Sequence, residues 1–392
     1  KMKYNFDEQH DRSINQSIKV DYVKDLFGSE DVLPMWVADM DFKAANPIID
    51  ALRNRLEQGI FGYTSLNDNY FNAFINWVSK RHSWQVQREW LTFSPGVVPS
   101  IIFAIQALTE VGDKIIIQSP VYGPFKSSIE NHGRQVIGNP LKYEDKTYKM
   151  DFEDLEKKID EGAKALILCN PHNPVGKVWS QNELERLADL VVKKDILLIS
   201  DEIHSDLIMK GHKHIPIASL NPEIACRTVT CMSPTKTFNL AGLQSSVVIT
   251  CDQSIRGKIN HSFEIMDMKI NNCFGQVAFE SAYTHGEEWL SQLMEYVEGN
   301  IDFVVEYIKE HIPEIKVRKP EGTYLLWFDC KGLNLNHEEL KTFMAEKAKV
   351  GMTSGDFFGI EGEGFMRYNV ATTRENVKKG IYQIEAAIKE KR

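Results

Sequence analysis

The stretch TVTCMSPTKTFNLAG (residues 228–242) joins a continuous apolar run to a lysine, Lys236, in a cluster of serine, threonine, proline and glycine residues. No other charged residue occurs between Arg227 and Asp252. A solvated lysine is usually part of a mixed charged surface, so the setting of Lys236 indicates a specific requirement for an amine just after a strand.

The same pattern recurs along the middle of the chain. Short apolar runs end in polar or proline-containing turns, and helical segments follow. The five runs are KIIIQSP (114–120), ALILCNP (165–171), ILLISDE (196–202), TVTCMSP (228–234) and SSVVITC (245–251). Such runs are typical of strands buried on both faces, and intervening helices such as ELERLADLVVKKD (183–195) indicate βαβ crossovers. We therefore predict an α/β fold with a mostly parallel sheet between helices.

The pattern changes near residue 290, where long helical stretches alternate with strands such as TYLLWFDC (323–330). This change predicts a second, smaller α+β domain. We expect the large domain to comprise residues 46–289, and the small domain to combine residues 1–45 with 290–392.

Composition and charge favour small-molecule chemistry. The chain has 392 residues, of which 43% are hydrophobic and 26% charged, as in ordinary globular proteins. Its formal net charge of −9 is spread along the chain with no basic block, so we expect neither a nucleic-acid nor an anionic-membrane partner.

The cysteines and the first residues indicate the compartment. Six scattered cysteines form no CxxC pair, so we expect buried thiols, a reducing compartment and no metal site. The start KMKYNFDEQHDRS lacks the apolar stretch of a signal peptide, and no apolar run approaches the ~20 residues that span a bilayer. The expected location is the cytoplasm.

Polar side chains follow the apolar runs, at the sheet edge where open α/β sheets bind ligands. They are Tyr122, Asn170, Asn173, Asp201, His204, Ser233, Thr235 and Lys236. Taken singly, each has a structural explanation: Asn173 as a turn former, Asp201 as a helix cap, and Tyr122 and His204 as packed core or rim residues. Their conjunction at successive strand ends is much less probable by chance and predicts one shared crevice.

A second ligand feature lies in LTFSPGVVPSIIFAIQAL (91–108), where an extended stretch turns at Gly96 and enters a helix. The backbone N–H groups of Gly96, Val97 and Val98 would then point outward at the positive end of the helix dipole, which suits a phosphate. An ordinary strand–turn–helix is the alternative.

Pyridoxal 5'-phosphate uses all of these groups. It requires an amine for a Schiff base, a carboxylate for the pyridine nitrogen, a donor to the phenolate oxygen, a stacking aromatic and a phosphate seat. Each requirement has a candidate residue here.

The chain resembles the fold type I pyridoxal-phosphate enzymes, the aspartate-aminotransferase-like superfamily, over nearly its whole length. The motifs NPHNPVG (170–176), SDEIH (200–204) and SPTKTFNLAG (233–242) carry the resemblance. The stretches MWVADMDF (35–42), DEIHSDL (201–207) and SPTKTFNLAGLQ (233–244) are similar to the cystathionine β-lyase-like carbon–sulfur lyase branch.

The resemblance implies roles at the ring of the cofactor. Lys236 would form the Schiff base and shuttle the Cα proton of the substrate. Asp201 would pair with the pyridine nitrogen, Asn173 with the phenolate oxygen, and Tyr122 would stack on the ring.

The resemblance also implies which residues bind the phosphate and the substrate. The phosphate would take N–H groups at Gly96–Val98, the hydroxyls of Ser233 and Thr235, and Tyr63 from a second subunit, so a homodimer with shared active sites is expected. Arg367 would fork onto the substrate α-carboxylate beside Asn173, Trp36 and Ala38. Without the family context, we would expect Arg367 to form a surface ion pair with an acid such as Glu363.

Two positions depart from the family pattern. The arginine that many members place eight residues after the Schiff-base lysine is Gln244, so the phosphate has one cation fewer. The tyrosine usually found three residues after the carboxylate is His204, which leaves a phenolate contact or packing behind the site as alternatives.

The expected function is a pyridoxal-phosphate-dependent C–S β-lyase. It would convert cystathionine, cysteine or other S-substituted cysteines to pyruvate, ammonia and a thiol such as homocysteine or hydrogen sulfide. The alternatives are an aminotransferase and a cofactor-binding regulator with a protein partner. A nicotinamide dehydrogenase is less favoured because no GxGxxG motif follows an early strand.

Overall fold

A computed structural model describes residues 2–268 and 270–392. Its largest sheet has seven strands. In spatial order they are Leu91–Ser94, Ser246–Ile249, Thr228–Met232, Leu197–Asp201, Ala163–Cys169, Lys114–Ile117 and Gln135–Gly138. Ser246–Ile249 runs antiparallel to both of its neighbours, and the other strands are mutually parallel. The predicted α/β class is confirmed, and all five apolar runs supply strands.

Helices cover both faces of this sheet, which explains why its strands are apolar without alternation. The longer ones before residue 287 are Asn46–Gln58, Asp68–His82, Val97–Leu108, Pro124–Glu130, Phe152–Asp160, Gln181–Lys194, Gln253–Ile265 and Cys273–His285. Gln181–Lys194 shows how the sequence sets these elements. It starts at a capping box between Ser180 and Glu183 and buries Leu184 and Leu187 against the sheet.

The C-terminal third adds an antiparallel sheet and three helices. The sheet has the order Leu325–Asp329, Phe365–Asn369 and Thr353–Ser354. The helices are Glu287–His311, His337–Thr342 and Arg374–Lys391. Shorter pieces are the helices Ile18–Asp21, Val23–Phe27, Pro222–Ala225 and Pro234–Thr237, the hairpin Lys142–Glu144 with Thr147–Lys149, and the parallel pair Leu33–Pro34 with Val350–Gly351.

One hydrophobic cluster runs across the predicted domain boundaries. It joins Ile48 and Phe279 of the predicted large domain to Phe6, Leu325 and Ile388 of the predicted small domain. The division at residues 45/46 and 289/290 stays a prediction, because a continuous core does not mark a boundary by itself.

The prediction that the cysteines are buried was only partly correct. All six thiols are free, but only Cys169, Cys231 and Cys330 are buried. Cys226 is exposed because it directly follows the short helix Pro222–Ala225, before its strand begins. Among the helices formed by residues 2–268 and 270–392, none combines the length and apolar character needed to cross a bilayer.

The burial of the central strand gives a stability prediction. Ile199 is fully buried in Leu197–Asp201, whereas Ile14 in the N-terminal turn is largely exposed. We expect Ile199→Ala to lower the free energy of unfolding by about 2–5 kcal/mol because it leaves a cavity, and Ile14→Ala to change it by less than about 0.5 kcal/mol. Chemical denaturation of the two variants measures the difference. Equal losses would contradict this placement of the strand.

Candidate active site

The carboxyl ends of the parallel strands meet at a cavity of about 730 Å³. Most of the predicted site residues line it: Trp36, Ala38, Gly96, Val97, Val98, Tyr122, Asn173, Asp201, His204, Lys236 and Arg367. Ser233, Thr235 and Tyr63 are not among the residues that line it. The structure therefore brings together residues that lie up to 331 positions apart in the chain.

Lys236 lies in the short helical turn Pro234–Thr237, directly after the strand Thr228–Met232. Its Nζ atom donates a hydrogen bond to the carbonyl oxygen of Ala38 at 2.5 Å. Burial, with a further contribution from the positive charge of Arg367, lowers the pKa of Lys236 to about 8. A neutral amine is therefore accessible close to neutral pH, as a nucleophile or a base requires.

Asp201 is the last residue of the strand Leu197–Asp201 and is buried in apolar surroundings. In register beside it are Cys169 on one neighbouring strand and Cys231 on the other. One carboxylate oxygen accepts a hydrogen bond from the N–H of Ile203 at 3.1 Å. Burial nevertheless raises the pKa of Asp201 to about 7. A positive charge opposite this carboxylate would stabilise its ionised form.

Arg367 is only 4% exposed and contacts neutral acceptors. Its guanidinium donates to Asn173 Oδ1 at 3.1 Å, to the carbonyl oxygen of Trp36 at 3.0 Å and to Thr353 Oγ1 at 3.3 Å. The expectation of a surface ion pair with Glu363 is therefore wrong, because Arg367 points into the cavity. Burial lowers the pKa of Arg367 to about 10, which still leaves a cation at neutral pH.

His204 follows the strand Leu197–Asp201 and Tyr122 follows the strand Lys114–Ile117, and both side chains face the same cavity. Burial, together with the charges of Lys236 and Arg367, lowers the pKa of His204 to about 3, so its imidazole is neutral. Burial also raises the pKa of Tyr122, whose backbone N–H donates to the carbonyl oxygen of Asn173 at 3.2 Å. This bond ties the two loops that carry Tyr122 and Asn173.

The predicted phosphate-binding residues are divided: Gly96–Val98 line the cavity, whereas Ser233 and Thr235 do not. Gly96 caps the helix Val97–Leu108, and the first N–H groups of a helix have no acceptor within it. The Ser233 hydroxyl bonds instead to Thr235 Oγ1 at 2.7 Å and to the carbonyl oxygen of Ser245 at 2.9 Å. Gln244 is exposed in a left-handed turn. The phosphate roles of Ser233 and Thr235 stay predictions.

Tyr63 lies on the surface and is 98% exposed. It belongs to the irregular stretch between the helices Asn46–Gln58 and Asp68–His82. It does not line the cavity of its own chain. This position is compatible with a role in the site of a neighbouring subunit. Its role in a second subunit stays a prediction.

The segment MWVADMDF (35–42) forms a strap across the cavity, held through its backbone. Asn369 Nδ2 donates to the carbonyl oxygens of residues 37 and 39, and Asn239 Nδ2 to those of residues 40 and 42. The Tyr324 hydroxyl donates to the Ala38 carbonyl at 2.9 Å, the same oxygen that Lys236 contacts. The strap therefore supplies main-chain acceptors to the buried polar groups of the site.

Several lining residues were not predicted from the sequence. They are Leu26, Phe27, Val37, Pro99, Cys169, Ile203, Lys341, Met352, Thr353, Ser354 and Phe357. Most belong to segments that the topology folds over the sheet edge. No local signal marked them, because Lys341, for example, lies in a helix of ordinary polar composition.

The donor set fits pyridoxal phosphate on observations of the protein alone. Within the described part of the chain, two buried polar atoms facing the cavity, His204 Nδ1 and Arg367 Nε, have no hydrogen-bond partner. A ligand with oxygen atoms would give both a partner. The same cavity holds one amine, one carboxylate, one aromatic ring and one helix N-terminus, as this cofactor requires.

Comparisons with known proteins give the same assignment. A family model described as aminotransferase class I and II matches residues 30–384. Cystathionine beta-lyase PatB of Bacillus subtilis (strain 168) is 43% identical over 385 residues, which cover 98% of this chain and 100% of PatB.

Two solved structures have the same fold. A PLP-bound protein of Clostridium difficile 630, described as an aminotransferase, is 50% identical with a TM-score of 0.97, covering 98% of this chain and 100% of its own. The PLP-bound C-S lyase from Staphylococcus hominis is 35% identical with a TM-score of 0.93, covering 98% of each chain.

The setting of Lys236 predicts its reactivity in the cofactor-free protein. Its reaction with a small acylating reagent should rise with pH about a midpoint near 8, because only the neutral amine reacts. Mass spectrometry of the Lys236 peptide follows the labelling. Arg367→Met should move the midpoint upward, because a neighbouring positive charge then no longer disfavours the protonated amine. A midpoint at the ordinary lysine value of about 10.4 would contradict the burial of this amine.

Proposed function

The chain belongs to the family of class I and II aminotransferases and is a pyridoxal-phosphate-dependent carbon–sulfur lyase, and we propose that it catalyses β-elimination of S-substituted L-cysteines. Cystathionine and cysteine are the proposed substrates, and pyruvate, ammonia and homocysteine or hydrogen sulfide the products. One observation carries the cofactor-dependent removal of the Cα proton: a half-buried lysine, a buried carboxylate and a buried arginine face one cavity.

The cofactor supplies, when bound, an aldehyde for the amino group of the substrate and a protonated ring that accepts electrons. Asp201 would hold the proton on the ring nitrogen, since its ionised form gains from a nearby positive charge. Tyr122 would cover the ring, Asn173 and His204 would face its oxygen substituent, and the helix N-terminus at Gly96–Val98 would bind its phosphate.

The remaining steps use the residues around the substrate. Arg367 would bind the α-carboxylate with its forked N–H groups, which orients the Cα–H bond. Lys236 Nζ would then take the proton from Cα, a transfer that suits an amine with a pKa of about 8. The electron pair released at Cα expels the thiolate from Cβ, and water completes the conversion to pyruvate and ammonia.

An aminotransferase would use the same deep residues, because it also begins by removing the Cα proton. The two reactions diverge at Cβ, where elimination needs a sulfur leaving group. The names of PatB and of the S. hominis enzyme favour elimination for this chain.

The reaction is tested with purified, cofactor-loaded protein incubated with L-cystathionine or L-cysteine. Pyruvate and thiol should appear in equal amounts, and Lys236→Ala should lower the rate by roughly 10²–10⁴-fold because the base is lost. Absence of pyruvate, with conversion of the cofactor to its pyridoxamine form, would overturn the lyase and establish the aminotransferase.

We also propose that the working enzyme is a homodimer in which Tyr63 completes the partner's site. Ile60 and Phe61 next to Tyr63 are exposed apolar side chains, and Leu56 on the preceding helix is exposed as well. Exposed apolar side chains grouped in one segment are typical of an interface. The assembly therefore accounts for both the apolar surface and the position of Tyr63.

A mixing experiment tests the shared site. Tyr63→Ala and Lys236→Ala protomers should each form defective dimers, but unfolding and refolding them together should restore about a quarter of the wild-type activity, because each mixed dimer contains one intact site. Tyr382→Ala, at an exposed tyrosine of the C-terminal helix, is the matched control and should retain full activity. A fully active monomer in sedimentation would contradict the proposal.

A further inference from the structure

The cavity has a deep end and a mouth with different chemistry. Asp201, Lys236 and Arg367 lie at the deep end. At the mouth Leu26 is 53% exposed, Phe357 48%, and the Lys341 side chain 38%. Among the described lining residues, Lys341 is the charged side chain that the proposed chemistry does not use.

We propose that Lys341, together with Asp356, forms a subsite for an amino-acid zwitterion at the end of the sulfur substituent. The inference rests on the proposed lyase function and deepens it, since it names the class of substituent. Cystathionine carries such a group, an ammonium and a carboxylate on one carbon, separated from sulfur by two methylenes. Cysteine and S-alkylcysteines carry none.

The partners of Lys341 are weak enough to be exchanged for a substrate. Its Nζ atom lies 3.4 Å from Glu338 Oε1 and 3.4 Å from Asp356 Oδ2. Ion pairs of this kind, long and solvent-accessible, contribute little to stability. A substrate carboxylate can therefore pair with the Lys341 ammonium without a large loss of stabilising ion-pair energy.

Asp356 is held in place by a neighbouring histidine, so a carboxylate remains beside Lys341. His337 Nε2 lies 3.3 Å from Asp356 Oδ1 and 2.8 Å from Ser354 Oγ. His337 Nδ1 accepts a hydrogen bond from the N–H of Gly364 at 3.0 Å, so Nε2 carries the proton. Lys341 lines the cavity and Asp356 is its ion-pair partner, so the pair offers a cation for the carboxylate of a zwitterion and an anion for its ammonium.

The lining between the deep groups and Lys341 suits a thioether chain. Phe27, Val37, Met352 and Phe357 contribute apolar surface to it. An aliphatic substituent would bury its methylenes there, which favours binding. The apolar lining binds the chain, and the charged pair recognises its end.

The experiment compares two substrates that differ at the far end of the chain. S-Propyl-L-cysteine has the three carbons of the cystathionine substituent up to the distal Cα but lacks its amino and carboxyl groups. Lys341→Met should raise KM for cystathionine about 3- to 10-fold with kcat unchanged, as expected for one partly exposed charged contact. KM for S-propyl-L-cysteine should stay within about twofold. Asp356→Asn should act in the same direction.

Lys347→Met is the matched control, because Lys347 is an exposed lysine of the same segment and does not line the cavity. It should leave both KM values unchanged. Titration of each variant in the inactive Lys236→Ala background with the two amino acids, followed by the visible absorption of the bound cofactor, gives the same comparison without turnover.

Equal effects of Lys341→Met on both substrates, in KM and in the titration, would overturn the subsite. Failure of the wild-type holoenzyme to release thiol from either substrate would instead overturn the proposed function. In that case the ratio of the two dissociation constants in the titration still decides whether Lys341 recognises the zwitterion.

Discussion

The burial of ionisable groups at one edge of the sheet is the constraint on which the rest of the structure depends. Burial shifts three pKa values toward the neutral form, to about 7 for Asp201, about 8 for Lys236 and about 10 for Arg367. Each shift is a free-energy penalty on the charged group. A charged ligand with complementary groups would relieve all three penalties. The ligand-free protein is therefore electrostatically suited to bind a charged ligand.

The polypeptide tolerates these groups because neutral acceptors surround them. Lys236 donates to the carbonyl oxygen of Ala38, 198 positions away in the chain, and Arg367 donates to that of Trp36, 331 positions away. Both acceptors belong to the strap. Asn239 and Asn369 hold the strap in turn through their side-chain amides. The N-terminal arm is therefore part of the site, and changes that loosen it should act on the amine and the arginine before they act on the sheet.

The sequence predicted what depends on local pattern. The strand ends could be located because buried parallel strands are apolar runs, and the chain order of Asn173, Asp201 and Lys236 then places them at one edge. The residue pattern did not predict contacts between residues that are distant in the chain. The hydroxyl of Tyr324 donates to a carbonyl oxygen 286 residues away. Arg367 donates to Asn173, 194 residues distant, and only the family resemblance led us to expect the two side by side. Cys226 was expected to be buried with the other cysteines, yet it precedes its strand and is exposed.

The two ends of the cavity carry different information about the reaction. The deep groups serve any enzyme that removes the Cα proton of an amino acid, so they cannot separate elimination from transamination or one leaving group from another. Discrimination must come from contacts made beyond Cβ, where substrates differ. Phe357 and Lys341 line the mouth, and Asp356 pairs with Lys341; all three come from the C-terminal third and not from the seven-stranded sheet. In the proposed reaction the sheet edge supplies the chemistry, and we expect the segments packed over it to determine which sulfur substituent is accepted.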